Sequence, residues 1–249
     1  MSKKLVLPLV VAAAIAFPAA AGAANFHGIV VGKQARRHAL IVASPRGVVR
    51  TVHTHHRAIR VGARVAVSAR RLSDGTFSAR RVAVRGRAHR ARIHGVVAKR
   101  TRSGYLLAAG HSVLAIRTVR SFALDNHGSG PKPGTIVDVT VDTDDNQLDE
   151  EGVDEVGEAQ EIDLEGKIAS VTLPTTTTAG EIVLQVGAST IHVVVPAGTT
   201  LPALTVGQNV ELEVTLSGTT FTLVKAEDED DDQGDDAQGD DDDDGGGDG

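Results

Sequence analysis

A glycine set in the middle of an apolar strand recurs three times along this chain. It occurs in Phe26-His27-Gly28-Ile29-Val30, in Ile93-His94-Gly95-Val96-Val97 and, altered, in Leu164-Glu165-Gly166-Lys167-Ile168. Glycine within a strand marks a bulge, a sharp bend or a close approach of two backbones, all features of a tightly curved sheet. A second glycine keeps the same phase: Gly62, Gly134 and Gly207 each precede an alternating strand, beginning at Val65, Val137 and Val210. Counting 14 or 15 residues on from those glycines reaches Phe77, Leu148 and Phe221, a large apolar residue every time. Self-similarity of this kind divides the chain into repeated units before any single strand is assigned.

Each unit reads as five short strands. In the first, they are Phe26–Val31, Ala39–Ala43, Val48–His53, Val65–Ala69 and Thr76–Val84, separated by turns such as Ser44-Pro45-Arg46-Gly47 and Asp74-Gly75. The second unit follows with Tyr105–Ala109, Val113–Arg117 and the strictly alternating Val137-Asp138-Val139-Thr140-Val141. The repeat places a fifth strand in the acidic stretch after Asp142, with Leu148 and Val153 facing inward, although composition alone also fits a linker there. The third unit shows the pattern again in Val210-Glu211-Leu212-Glu213-Val214. The reading is all-β: three tandem small five-stranded units at 25–88, 89–158 and 159–226, with a disordered Asp/Gly-rich tail at 227–249.

Residues 1–24 read as a signal peptide. Lys3 and Lys4 precede the 13-residue apolar run Leu5–Phe17, which is shorter than the roughly 20 residues of a spanning helix, and Ala21-Gly22-Ala23 supplies small residues for cleavage near Ala23/Ala24. The expected product is secreted or associated with the cell envelope, with no transmembrane segment. It has no cysteine, so neither a disulfide nor a thiol nucleophile is available.

The motif residues resemble the DUF5666 family. The resemblance is carried by His27-Gly28-Ile29-Val30, Gly62-Ala63-Arg64-Val65-Ala66-Val67 and Asp74-Gly75-Thr76-Phe77-Ser78-Ala79-Arg80-Arg81-Val82. It implies that the three tandem units are small OB-like five-stranded barrels, as in secreted bacterial modules that often occur in tandem and have no assigned activity. It transfers no catalytic residue.

Charge is divided along the chain. Between Asn25 and Leu124, 19 Arg with Lys33 and Lys99 face the single acid Asp74, a net of +20, whereas from Asp125 onward 31 acids face three lysines, a net of −28. Such asymmetry calls for an electrostatic partner. That partner is an extracellular or cell-wall polyanion, or the acidic half itself, through intramolecular or head-to-tail self-association; a solvated basic surface is the plain alternative. The candidate polyanion-binding residues are Arg80, Arg81, Arg85, Arg87, Arg90 and Arg92. Few aromatic residues are available to stack on bases, so base-reading of single strands is disfavoured.

Two metal sites can be considered. Asp142, Asp144, Asn146, Asp149, Glu150 and Glu151 present oxygen ligands suited to weakly bound calcium, although Gln147 and Val153 stand where an EF-hand needs glycine and glutamate. His53, His55 and His56 have metal-like spacing but lie among Arg50, Arg57 and Arg60. No nucleophile elbow, phosphate-binding glycine loop or His-Glu-x-x-His motif is present, and the chain reads as a non-enzyme.

Overall fold

The computed structural model describes residues 23–34, 38–55, 58–118, 130–186 and 189–228, and among them every regular element is a strand. No helix there is long and apolar enough to cross a membrane. The first barrel consists of β1 (Ala23–Gln34), β2 (Ala39–Ala43), β3 (Val49–His53), β4 (Ala63–Arg71) and β5 (Phe77–Arg87). The second consists of β6 (Arg90–Thr101), β7 (Gly104–Ala108), β8 (Val113–Thr118), β9 (Thr135–Asp142) and β10 (Asp149–Glu158). The third is β11 (Glu161–Thr172), β12 (Gly180–Val186), β13 (Ser189–Val195), β14 (Asn209–Ser217) and β15 (Thr220–Asp228).

All three close in the same order: first strand, second, third, fifth, fourth, and back to the first. The closing contact is a short parallel pairing of third and fifth strands, at Val52 with Phe77, Arg117 with Asp149 and Val193 with Phe221. This is the strand order of an OB-like barrel. The acidic fifth strand of the second barrel does form: β10 pairs with β9 from Asp149 opposite Asp142 to Glu158 opposite Thr135, and Leu148 is buried just before it.

The repeated glycines do physical work that can be measured. A Cβ on Gly28 would lie 2.4 Å from Ala43 O, and one on Gly95 would lie 2.4 Å from Ala108 O, so these two strands cross their neighbours at backbone contact. At Gly166 the nearest atom would be 3.2 Å away, and the crossing is looser. A register shift follows each of these glycines, between Val30 and Gly32, Val97 and Lys99, and Ile168 and Ser170. The second set of glycines shares one role. Gly62, Gly134 and Gly207 have φ near +90° (83°, 87° and 95°), and their N–H groups donate to Val30 O, Val97 O and Ile168 O, each at 2.8 Å. A left-handed conformation of this kind favours glycine, which explains why the residue recurs.

The barrels are fused through their second strands. Leu40 and Val42 of β2 fill the first barrel, while Ile41 and Ala43 face the other way into the core of the second. In β7, Leu106 and Ala108 pack with the core of the third barrel, and Tyr105 and Leu107 with that of the second. Both strands are buried on two faces and are therefore apolar without alternation. In the third barrel the positions that correspond to Ile41 and Ala43 are Val183, which is buried, and Gln185, which is exposed, with Glu181 exposed on the same face.

Candidate functional site

The six arginines grouped by the sequence separate in the fold. Arg87 Nη2 donates to Asp144 O at 2.6 Å and lies 3.6 Å from Asp144 Oδ1, which His89 Nδ1 also meets at 2.6 Å. Arg90 Nε reaches Glu151 Oε2 at 2.6 Å. Arg92 Nη2 donates to Asp138 Oδ2 at 2.7 Å, and His94 Nδ1 lies 2.9 Å from the other oxygen of the same carboxylate. Arg117 Nε approaches Asp149 Oδ1 at 3.5 Å. These contacts lie around the second barrel, where β6 carries arginine and β9 and β10 carry acids. His94, and then Arg92, hold the Asp138 carboxyl below the ordinary carboxylate range.

Arg81 and Arg85 have a different setting. They lie on the outer face formed by β1, β4 and β5 of the first barrel, where Asn25, Ser68 and Arg81 form one cross-strand row and His27, Ala66 and Ala83 the next. These side chains border a shallow trough of about 320 Å³. Small residues at Ala66 and Ala83 leave the floor low, and exposed arginines stand at its side. Arg64 and Arg70 of β4 and the bulged Arg80 of β5 are also exposed. The first barrel has one acid, Asp74, and its carboxylate accepts hydrogen bonds from Thr76 N–H at 2.8 Å and the Thr76 hydroxyl at 2.7 Å. It is thereby committed to its own turn, where Gly75 has φ +85°. The positive field of this face is not cancelled within its own barrel.

The rings near the trough are already engaged. Phe26 and Phe77 meet edge to face with centroids 5.2 Å apart, and the Arg50 guanidinium lies 4.9 Å above the Phe26 ring. Tyr105 is buried in the second barrel. Phe122 lies outside the described residues. Among the described residues no Phe or Tyr is exposed on this face for a base to stack on, and the exposed ring there is the imidazole of His27.

The oxygen ligands considered for calcium are dispersed among other partners. Asp142 Oδ1 accepts the Asp144 N–H at 2.7 Å in a tight turn that puts Asn146 at φ 58°. Asp144, Asp149 and Glu151 are the acids that meet Arg87, Arg117 and Arg90, and Glu150 lies at the start of β10. Among the described residues no three His, Asp or Glu side chains converge on a point that could hold a metal ion. His53 Nε2 meets Thr76 Oγ1 at 3.1 Å, His55 lies beside His38 with ring centroids 6.2 Å apart, and His56 is outside the described residues.

Sequence reading missed the partners of these arginines, chief among them Asp138. The available signal was the repeat register: β6 and β9 pair with His94 opposite Asp138, so Arg92, two residues before His94, reaches the same carboxylate diagonally.

No protein-family model and no curated protein matches the chain, so membership of the DUF5666 family is not shown. Solved structures similar to it include Drosophila Unr CSD456, at 13% identity over 82% of this chain and 97% of that one, with a TM-score of 0.21. Another is a multidomain protein with nucleic acid binding domains from Streptococcus pneumoniae, at 11% identity over 80% and 72%, with a TM-score of 0.22. At such TM-scores the likeness adds nothing, and the fold assignment rests on strand order and register.

Proposed function

We propose that this chain is a non-catalytic binding protein of the cell exterior, whose first barrel holds a phosphorylated or sulfated polymer along the arginine-bordered face of β1, β4 and β5. One observation carries the reading: the arginines around the second barrel meet carboxylates at close range, while Arg81 and Arg85 line a trough, with Arg64 and Arg70 exposed on β4, in a barrel whose single acid, Asp74, is held by Thr76. The placement outside the cell rests on the N-terminal leader pattern and on the DUF5666 resemblance. With no Phe or Tyr exposed among its described residues, the face attracts charge and ignores base identity. The acidic segment 229–249 is outside the described residues; its carboxylates make it a natural competitor for the same arginines.

The test is retention of the full chain on immobilised heparin and on teichoic acid as salt is raised. Four phosphate or sulfate contacts predict that the logarithm of the binding constant falls by about 3 per tenfold rise in salt, taking the single-strand coefficient of roughly 0.7 per contact. Single-stranded DNAs of different sequence should bind alike. Elution of the chain below physiological salt from both resins would remove the reading.

A further inference from the structure

The turn Ala109-Gly110-His111-Ser112 between β7 and β8 touches all three barrels. Gly110 presses on the first barrel, where an added Cβ would lie 2.8 Å from Val49 O. The Ser112 hydroxyl is fully buried, 2.9 Å from the Thr51 hydroxyl of the first barrel and 3.4 Å from Glu165 Oε2 of the third. Glu165 is itself buried and accepts Gln34 Nε2 from β1 at 2.7 Å, so one carboxylate joins the first and third barrels directly. His111 Nδ1 meets Glu211 Oε1 of β14 at 2.7 Å, and the far side of its ring abuts Gly75 in the β4–β5 turn.

We propose that this turn is a proton-dependent clasp: charged His111 grips Glu211 and locks the third barrel onto the other two in mildly acidic surroundings, and loss of the imidazolium charge loosens that grip. The geometry is weighted toward acid. His111 is faced by Glu211 from β14, Asp163 from β11 and Asp74 from the β4–β5 turn, with Glu213 and Glu227 behind them, where Lys225 of β15 pairs with Glu227 opposite Glu213 and its charge also reaches Glu211. The neutral ring leaves those carboxylates repelling one another, and the charged ring screens them.

The directions of titration agree. The hydrogen bond to Glu211 raises His111 above the ordinary imidazole value against the opposing effect of burial, so its contribution is present below that ordinary value and disappears as pH climbs through the raised one. Desolvation, reinforced by Glu211, raises Asp163, which likewise favours the docked state at lower pH and opposes it as pH rises.

Two measurements test the clasp. Proton NMR of the full chain should show His111 keeping its proton above the ordinary imidazole value of about 6.5, and Glu211→Gln should move that titration down. Calorimetric melting between pH 5.5 and 8.5 should lose about 2–4 °C across the range, and His111→Gln should flatten this part of the profile. The proposal is overturned if wild-type His111 titrates at or below the ordinary value, an experiment that requires no variant to fold. It is equally overturned if His111→Gln melts with an unchanged dependence on pH.

Discussion

Arg92 and Asp138 lie 46 residues apart in the chain, one in the basic half and one in the acidic half, and their side chains meet at 2.7 Å on neighbouring strands of the second barrel. Most of the ion pairs that join the two halves among the described residues likewise gather at the second barrel. What remains is a basic first barrel, and the functional reading follows from that remainder.

The Asp138 contacts predict a specific response to acid. Because its folded value lies below the ordinary one, the stabilisation is present above the ordinary carboxylate range and is lost as pH falls through the lowered value. Asp138→Asn should cost less than about 1 kcal/mol at neutral pH, as is usual for a partly exposed pair, and should reduce the steepness of acid unfolding below about pH 4. Chemical denaturation at pH 7 and pH 3 checks both parts.

The crossing glycines predict a graded effect. Gly95→Ala drives a methyl group to 2.4 Å from Ala108 O, where neither backbone can yield cheaply, and it should cost several kcal/mol or prevent the second barrel from closing. Gly166→Ala meets its nearest atom at 3.2 Å and should cost less than half as much. Thermal melts of the two variants, compared at the same pH, give the ordering.

Phe221 and Phe77 occupy the same place in their barrels but not the same depth. Phe221 is 4% exposed among the residues of the third core, and Phe221→Ala should cost about 3–5 kcal/mol. Phe77 is only partly buried, against Phe26, and its truncation should cost clearly less. Urea unfolding followed by circular dichroism distinguishes them.

Calcium at millimolar concentration should raise the melting temperature no more than magnesium at equal ionic strength. Asp144, Asp149 and Glu151 are held by Arg87, Arg117 and Arg90, so a coordinated ion would have to displace three cations before gathering its ligands. A calcium-specific stabilisation would show that the turn after β9 rearranges around the ion.

Much of this fold is readable in the sequence because its determinants are local. Gly62, Gly134 and Gly207 recur because each makes the same left-handed turn and the same hydrogen bond, and the periodic Val137, Val139 and Val141 point inward on β9. Even the acid-rich β10 is recoverable from Leu148 in register with Phe77 and Phe221. The site is less readable. Whether an arginine is engaged depends on which strand lies beside it, and Arg81 and Arg92 look identical along the chain although only Arg92 has β9 next to it. The His111 turn is hidden for a related reason: its contacts with Val49, Thr51, Glu165 and Glu211 are decided by the docking of neighbouring barrels, which local patterning does not encode.

The most direct measurement compares two double variants of the full chain on immobilised heparin, Arg81→Ala with Arg85→Ala, and Arg90→Ala with Arg92→Ala. Both remove two positive charges from the same stretch, so a response to net charge alone would treat them alike. The trough account predicts that the first pair elutes at clearly lower salt and loses about 1.4 from the log–log salt slope, while the second pair stays close to the parent chain. Equal losses from the two pairs, or a larger loss from Arg90 and Arg92, would contradict the assignment of the binding face to the first barrel.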